Sequence, residues 1–140
     1  MTDAKTFFRK IRLERREIRI LSERIHIREL SLLPSGIRYD KTDVQTSIED
    51  KMSEKLAEIS DYELKREKLL QALMLRQSQA IDIISSIPDT KQRQIMEIYY
   101  LDSTNPTWQD VADEMILDRR YVLRLHGEAL NWINEHASIN

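Results

Sequence analysis

Neither proline nor glycine occurs between Met1 and Leu33, or again between Ile37 and Ile87. Nothing in those stretches removes a backbone donor or favours a positive φ, so each can hold a long unbroken helix, the second one after a polar loop over residues 34–46. The helix breakers fall between the stretches. Pro34 and Gly36 stop a first helix, Ile87 and Pro88 end a second, and Asp102 to Pro106 (DSTNP) forms a turn-rich loop. A chain with 2 Gly and 3 Pro in 140 residues, 33% charged and 41% hydrophobic, favours long helices over sheet. The expected fold is all-α. A long antiparallel, coiled-coil-like hairpin spans residues 1–86 and serves oligomerisation or partner binding. A small three-helix domain follows over residues 87–140.

Residues 3–33 read as the first helix. Ala4, Ile11, Ile18, Ile25 and Leu32 recur every seven residues, with Phe7 and Leu21 interleaved and Glu14 and Arg28 in the other interleaved places. That is a heptad seam. A second apolar row, Leu13, Ile20 and Ile27, lies roughly 160° around the same helix at about 100° per residue. One partner cannot cover both rows, so the second row is a candidate interface with another copy of the chain, a dimer being favoured. Lys5, Arg9, Arg12, Arg16 and Arg19 share a strip at spacings of three and four. The strip is either a solvated face or a track for phosphates or an acidic partner.

The second helix is expected over residues 47–86. If it folds back so that facing residue numbers sum to about 80, Leu21 meets Ile59, Ile18 meets Tyr62, Ile11 meets Leu69, and Glu14 pairs with Arg66. Ile37, Tyr39 and Val44 in the connection are candidates to fold onto the hairpin tip or to touch a partner. A third helix, Lys91 to Leu101, is capped by Asp89 or Thr90.

The last part, TWQDVADEMILDRRYVLRLHGEALNWI from Thr107 to Ile133, reads as two helices joined by a tight turn. Thr107 caps the first, with Asp110 as the acidic partner of a capping box. Asp118 stands where the second needs a cap. A helix-turn-helix needs a small residue where the helices approach, an apolar residue in the turn and an aliphatic one on the inner face of the second helix. Ala112, Leu117 and Val122 have those places. Arg119, Arg120, Tyr121 and Arg124 then point outward from the first two turns of the second helix, the part that meets base edges and phosphates in a major groove. Thr107 and Gln109, at the start of the first helix, complete the candidate DNA contacts. Such turns favour Gly just before the apolar residue, where φ tends to be positive. Ile116 stands there, so either the turn is reshaped or a β-branched residue bears the strain.

Charge is distributed unevenly. Residues 1–37 hold 9 Lys/Arg against 5 Asp/Glu, residues 38–88 hold 8 against 10, and residues 89–140 hold 5 against 9. The segment with the proposed reading helix is thus the most acidic, although three of its five basic residues lie between Asp118 and Arg124. Enzyme chemistry has no support. With no Cys, three dispersed His (His26, His126, His136) and no Gly-rich loop, neither a metal site nor a cofactor site is expected. His126 reads as a helix-face residue, and Tyr99, Tyr100, Trp108 and Trp132 as core of the small domain. The start lacks the apolar core of a signal peptide, and no run approaches the ~20 apolar residues of a membrane span. A soluble protein of the bacterial cytoplasm is expected.

From Ile87 on, the chain resembles region 4 of sigma-70-type RNA polymerase sigma factors. The resemblance rests on IPDTKQRQIMEIYYLD, TWQDVADEM and DRRYVLRLHGEALNWI, with Ile87, Pro88, Arg93, Ile98, Tyr100, Leu101, Val111, Ala112, Leu117, Val122 and Leu130 at matching positions. In that family the start of the last helix reads the promoter −35 element, which implies Arg119, Arg120, Tyr121 and Arg124 as readers here. Ile116 for Gly and Asp118 for the usual Ser are departures. The region that binds the −10 element has no counterpart, so a complete sigma factor is not implied. Over most of its length, including YDKTDVQTS, IYYL and DRRYVLRLHGEAL, the chain resembles small phage late-transcription regulators of Gram-positive bacteria, of the ArpU and RinA type. That resemblance implies a double-stranded DNA-binding activator of packaging or lysis genes in a bacterial host. Two other readings stay open: a phage assembly protein such as a small terminase subunit, and a helical adaptor that binds host RNA polymerase.

Overall fold

The computed structural model describes residues 2–33 and 42–139, with side chains in the second stretch from residue 48 onward. Regular structure among them is entirely helical: α1 (Ala4–Leu30), α2 (Thr42–Ser85), α3 (Thr90–Met96), a π-helical segment (Glu97–Leu101), α4 (Trp108–Met115) and α5 (Arg119–His136). None of these helices is long and apolar enough to cross a membrane. Ile37 and Tyr39, and the side chain of Val44, lie outside the described residues.

The chain divides into two compact units, but not at residue 86. One unit joins Met1–Arg16 to Ala72–Asn140, and the other is Glu17–Gln71. The sequence explains why the first turns of α1 belong with the C-terminal helices. Ala4, Phe8 and Ile11 are fully buried, the Phe8 ring lies 5.0 Å from that of Tyr100, and the Ala4 amide donates to the Asn134 side chain at 2.8 Å. Three side chains of that size removed from water hold a helix where they are buried by several kcal/mol, at about 25 cal/mol per Å².

In the second unit α1 and α2 run antiparallel. Arg28 pairs with Glu58 at 2.6 Å, Lys55 donates to the Ser31 carbonyl at 3.3 Å, and Arg66 donates to the Ser22 hydroxyl at 3.4 Å. Leu21, Ile25 and Ile59 are buried between them. In the first unit Glu14 pairs with Arg76, and Phe7 and Leu73 are buried. These pairings correct the expected register. Arg66 meets Ser22 instead of Glu14, and Glu14 takes a partner roughly three helical turns further along α2. Of the seam, Ala4, Phe7, Ile11, Glu14, Leu21 and Ile25 are buried, while Ile18, Arg28 and Leu32 are half-buried. A heptad pattern shows which residues face inward but not which turn of the partner each one meets, so periodicity alone does not choose between registers. Met52, Leu56 and Leu70 of α2 stay exposed.

Local chemistry sets each boundary in the C-terminal part. The Asp89 carboxylate accepts the Gln92 amide at 2.9 Å and starts α3. The third helix expected over Lys91 to Leu101 is observed as α3 followed by the π-helical segment. Thr107 and Asp110 form a reciprocal capping box: the Asp110 amide donates to Thr107 Oγ1 at 3.1 Å, and the Thr107 amide donates to Asp110 Oδ2 at 2.9 Å. These bonds hold the Asp110 carboxyl below its ordinary range. Asp118 has the N-cap position of α5 without a side-chain cap bond.

The turn between α4 and α5 is not reshaped. Ile116 takes the left-handed conformation, φ 56° and ψ 47°. Its amide donates to the Asp113 carbonyl at 3.3 Å, and the Leu117 amide donates to the Ala112 carbonyl at 3.0 Å. That nested pair is the Schellman arrangement, which needs a left-handed residue between its two bonds. The Ile116 side chain is 89% exposed, so no packing compensates its strain. Below the turn, Ile95, Val111, Ala112, Val122 and Leu125 form a buried cluster, with Trp108, Met115, Leu117 and Tyr121 packed against it.

Candidate nucleic-acid interface

α5 buries one face and shows the other. Val122, Leu125, Ala129, Leu130 and Ile133 are buried on the inner side, while Arg119, Arg120 and Arg124 are exposed. Arg119 and Arg120 have no hydrogen bond or ion pair among the described residues. Arg124 makes a loose pair with Glu128 at 3.7 Å, both partners being at least half exposed. Such a pair contributes little and leaves the guanidinium accessible.

Tyr121 stands differently from its three neighbours. It is half-buried against the cluster, with Arg124 4.9 Å and Lys91 5.7 Å from its ring centre. The ring holds cations in place from below. At the start of α4, Thr107 is occupied by its capping box, and Gln109 donates to Asp113 at 2.9 Å on the exposed face.

The basic strip of α1 does not behave as one unit. Lys5, Arg9, Arg16 and Arg19 are exposed. Arg12 is not, which corrects its assignment to a free cationic track. Its guanidinium donates to the Tyr99 carbonyl at 2.7 Å and the Asn105 carbonyl at 3.3 Å, and lies 3.7 Å from the centre of the Tyr99 ring. Arg15, which sequence reasoning passed over, is buried and donates to the Tyr100 carbonyl at 2.8 Å and to Asn105 Oδ1 at 2.7 Å. Asn105 completes the knot by donating its side-chain amide to the Arg12 carbonyl at 3.1 Å.

The cause is the end of the π-helical segment. The last carbonyls of a helical run have no partner within it and carry its negative end. Tyr99 and Tyr100 supply two such carbonyls, and a guanidinium from α1 satisfies each. Asn105 adopts φ 52°, which asparagine tolerates better than most residues. Burial lowers the pKa of both Arg12 and Arg15 from the ordinary arginine value. The available signal was spacing: Arg15 lies one position off the exposed strip and beside Glu14 on the seam.

Behind the knot, Tyr100 and His126 share a hydrogen bond of 2.6 Å. Burial, with a smaller contribution from the charge of Lys5, pushes the His126 pKa down to about 4. Burial also raises that of Tyr100. At neutral pH both rings are therefore uncharged and one proton lies between them. Among the described residues no group of His, Asp and Glu could hold a metal ion. Trp132 is half-buried and stacks on His136 at 4.6 Å.

Of the candidate interface row, Leu13 is 45% and Ile27 61% exposed, and Ile20 is half-buried. Comparison of the chain with family models, with curated proteins and with solved structures finds no match.

Proposed function

We propose that this protein is a sequence-specific DNA-binding transcription regulator whose α4 and α5 act as a helix-turn-helix, with α5 in the major groove. The observation that carries the reading is the exposure of Arg119, Arg120 and Arg124 on the first two turns of a helix whose opposite face is buried. Three guanidiniums so placed can pair with guanine edges and with phosphates. The left-handed residue at position 116 and the packing of Ala112, Leu117 and Val122 support the same reading, since they fix the angle at which α5 leaves α4. The resemblance to phage late regulators suggests activation of packaging or lysis genes. The exposed Leu13 and Ile27 suit a homodimer that reads two half-sites, and host RNA polymerase is a further candidate partner.

The test is genome-wide mapping of bound sites in the bacterial host, with the natural chain and with an Arg120→Ala/Arg124→Ala variant. The reading expects a shared sequence motif at the bound sites that disappears with the two arginines. Occupancy that follows RNA polymerase, carries no motif and survives the double change would favour the adaptor reading.

A further inference from the structure

Lys5, Arg9 and Arg16, left exposed by the fold, converge on one cavity of about 380 Å³ in the first unit, where Arg12, Trp108 and His126 also line the wall. Four cationic side chains and no carboxylate line this cavity, in a chain whose net charge is −2. Among the described residues no ion pair neutralises Lys5, Arg9 or Arg16. Burial lowers the pKa of Arg12 and of His126, and the nearby charges of Arg16 and Lys5, respectively, lower them a little further. Positive charge gathered without a counter-charge, against low-dielectric walls, attracts an anion.

The aromatic wall narrows the kind of anion. Trp108 stacks on Tyr99 with ring centres 3.6 Å apart, and Arg12 lies 3.7 Å from the same Tyr99 centre. Two groups so close must occupy opposite faces, so Tyr99 has no face left for a base. The His126 ring stands 4.4 Å from that of Trp108. Four cations around one small space, with both faces of Tyr99 already taken, suit a compact oxyanion. The volume lies at the small end of ligand sites.

We propose that this cavity is a phosphate-binding site, with Lys5, Arg9 and Arg16 as the charge contacts and Arg12, fastened to Tyr99 and Asn105, as the fixed wall behind them. None of these cations belongs to the leading end of α5, so the site stands or falls apart from the major-groove reading.

The test follows the indole N–H signals of Trp108 and Trp132 in the full ¹⁵N-labelled chain during titration with inorganic phosphate at constant ionic strength, with chloride as the control. The site predicts a saturating shift of Trp108 with Trp132 unmoved. In a Lys5→Gln/Arg9→Gln variant the affinity falls about tenfold or more, since charge-assisted contacts are lost, while the unfolding midpoint is kept because both side chains are exposed. A Trp108 shift that never saturates, that chloride reproduces, or that the double variant leaves intact overturns the proposal. A second arm adds duplex DNA of arbitrary sequence. Competition between duplex and phosphate upholds the site and assigns it to the nucleic-acid backbone. An undisturbed phosphate titration in the presence of duplex upholds it and assigns it to a free phosphate-bearing small molecule.

Discussion

Two groups of arginines look alike in the sequence and have opposite situations in the fold. Arg12 and Arg15 on α1 are drawn inward and spend their donors on the carbonyls of Tyr99 and Tyr100 and on Asn105. Arg119, Arg120 and Arg124 on α5 stay at the surface. Helix propensity does not separate them, since all five sit on strong helices. The difference lies in what faces each group: a helix end with unsatisfied carbonyls opposite α1, and solvent opposite the leading end of α5. A cluster of positive charge is therefore a binding surface only after the orphaned backbone groups of the same fold have taken their share.

The strongest test of that contrast is stability. Arg15→Ala leaves the Tyr100 carbonyl and the Asn105 side chain without their buried donor, and should cost about 3–5 kcal/mol in urea unfolding. Arg119→Ala should stay within about 0.5 kcal/mol of the natural chain. Equal losses at the two positions would erase the distinction.

Next in size is a pH effect behind the knot. His126 titrates near 6.5 when unfolded and at about 4 when folded. Between those values the unfolded chain binds the extra proton, so stability is full above about pH 6.5 and declines as pH falls toward 4. The loss is about 3 kcal/mol by linkage. Unfolding curves at stepped pH should show this slope, and His126→Gln should flatten it.

Binding reverses the order of the two groups. Arg120→Ala should weaken the DNA complex by about 2 kcal/mol in a gel-shift titration, within the range for a lost base-edge pair, with stability unchanged. A smaller effect concerns the turn that aims α5. Replacing Ile116 by Gly removes the left-handed strain of a β-branched residue and loses no packing. The relief exceeds the added freedom of the unfolded chain, so the unfolding free energy should rise by about 1 kcal/mol. A fall in stability would show that the exposed isoleucine contributes something its surroundings do not reveal.

Much of the helical layout could be read from residue types. The capping box at Thr107 and Asp110, the left-handed demand at position 116 and the inner faces of α1 and α5 each follow from a short local rule. The register of α1 against α2 does not, because a heptad pattern does not show which turn of the partner each residue meets. The two compact units likewise do not follow from the pattern of the sequence. The burial of Ala4 and Ile11 shows in their spacing, but that of Phe8, off the seam, and the identity of the elements that cover all three do not. Arg12 cannot be separated from the strip by spacing, because a basic residue there is indistinguishable from its neighbours until the helix end it meets is known. The π-helical widening at Glu97–Leu101 that creates that end left no pattern in the sequence.

The reach of Arg12 and Arg15 across some 85 to 93 positions to Tyr99, Tyr100 and Asn105 has a practical consequence for dissecting this protein. A clone beginning at Ile87 would look like the natural minimal fragment, yet it would discard the guanidiniums that close the end of its own helical segment, together with the Phe8 and Ile11 side chains. A workable short form has to start at Ala72, with the buried Leu73, Ala80 and Ile84 of α2, and to carry the opening turns of α1 as well, spliced or supplied as a separate peptide.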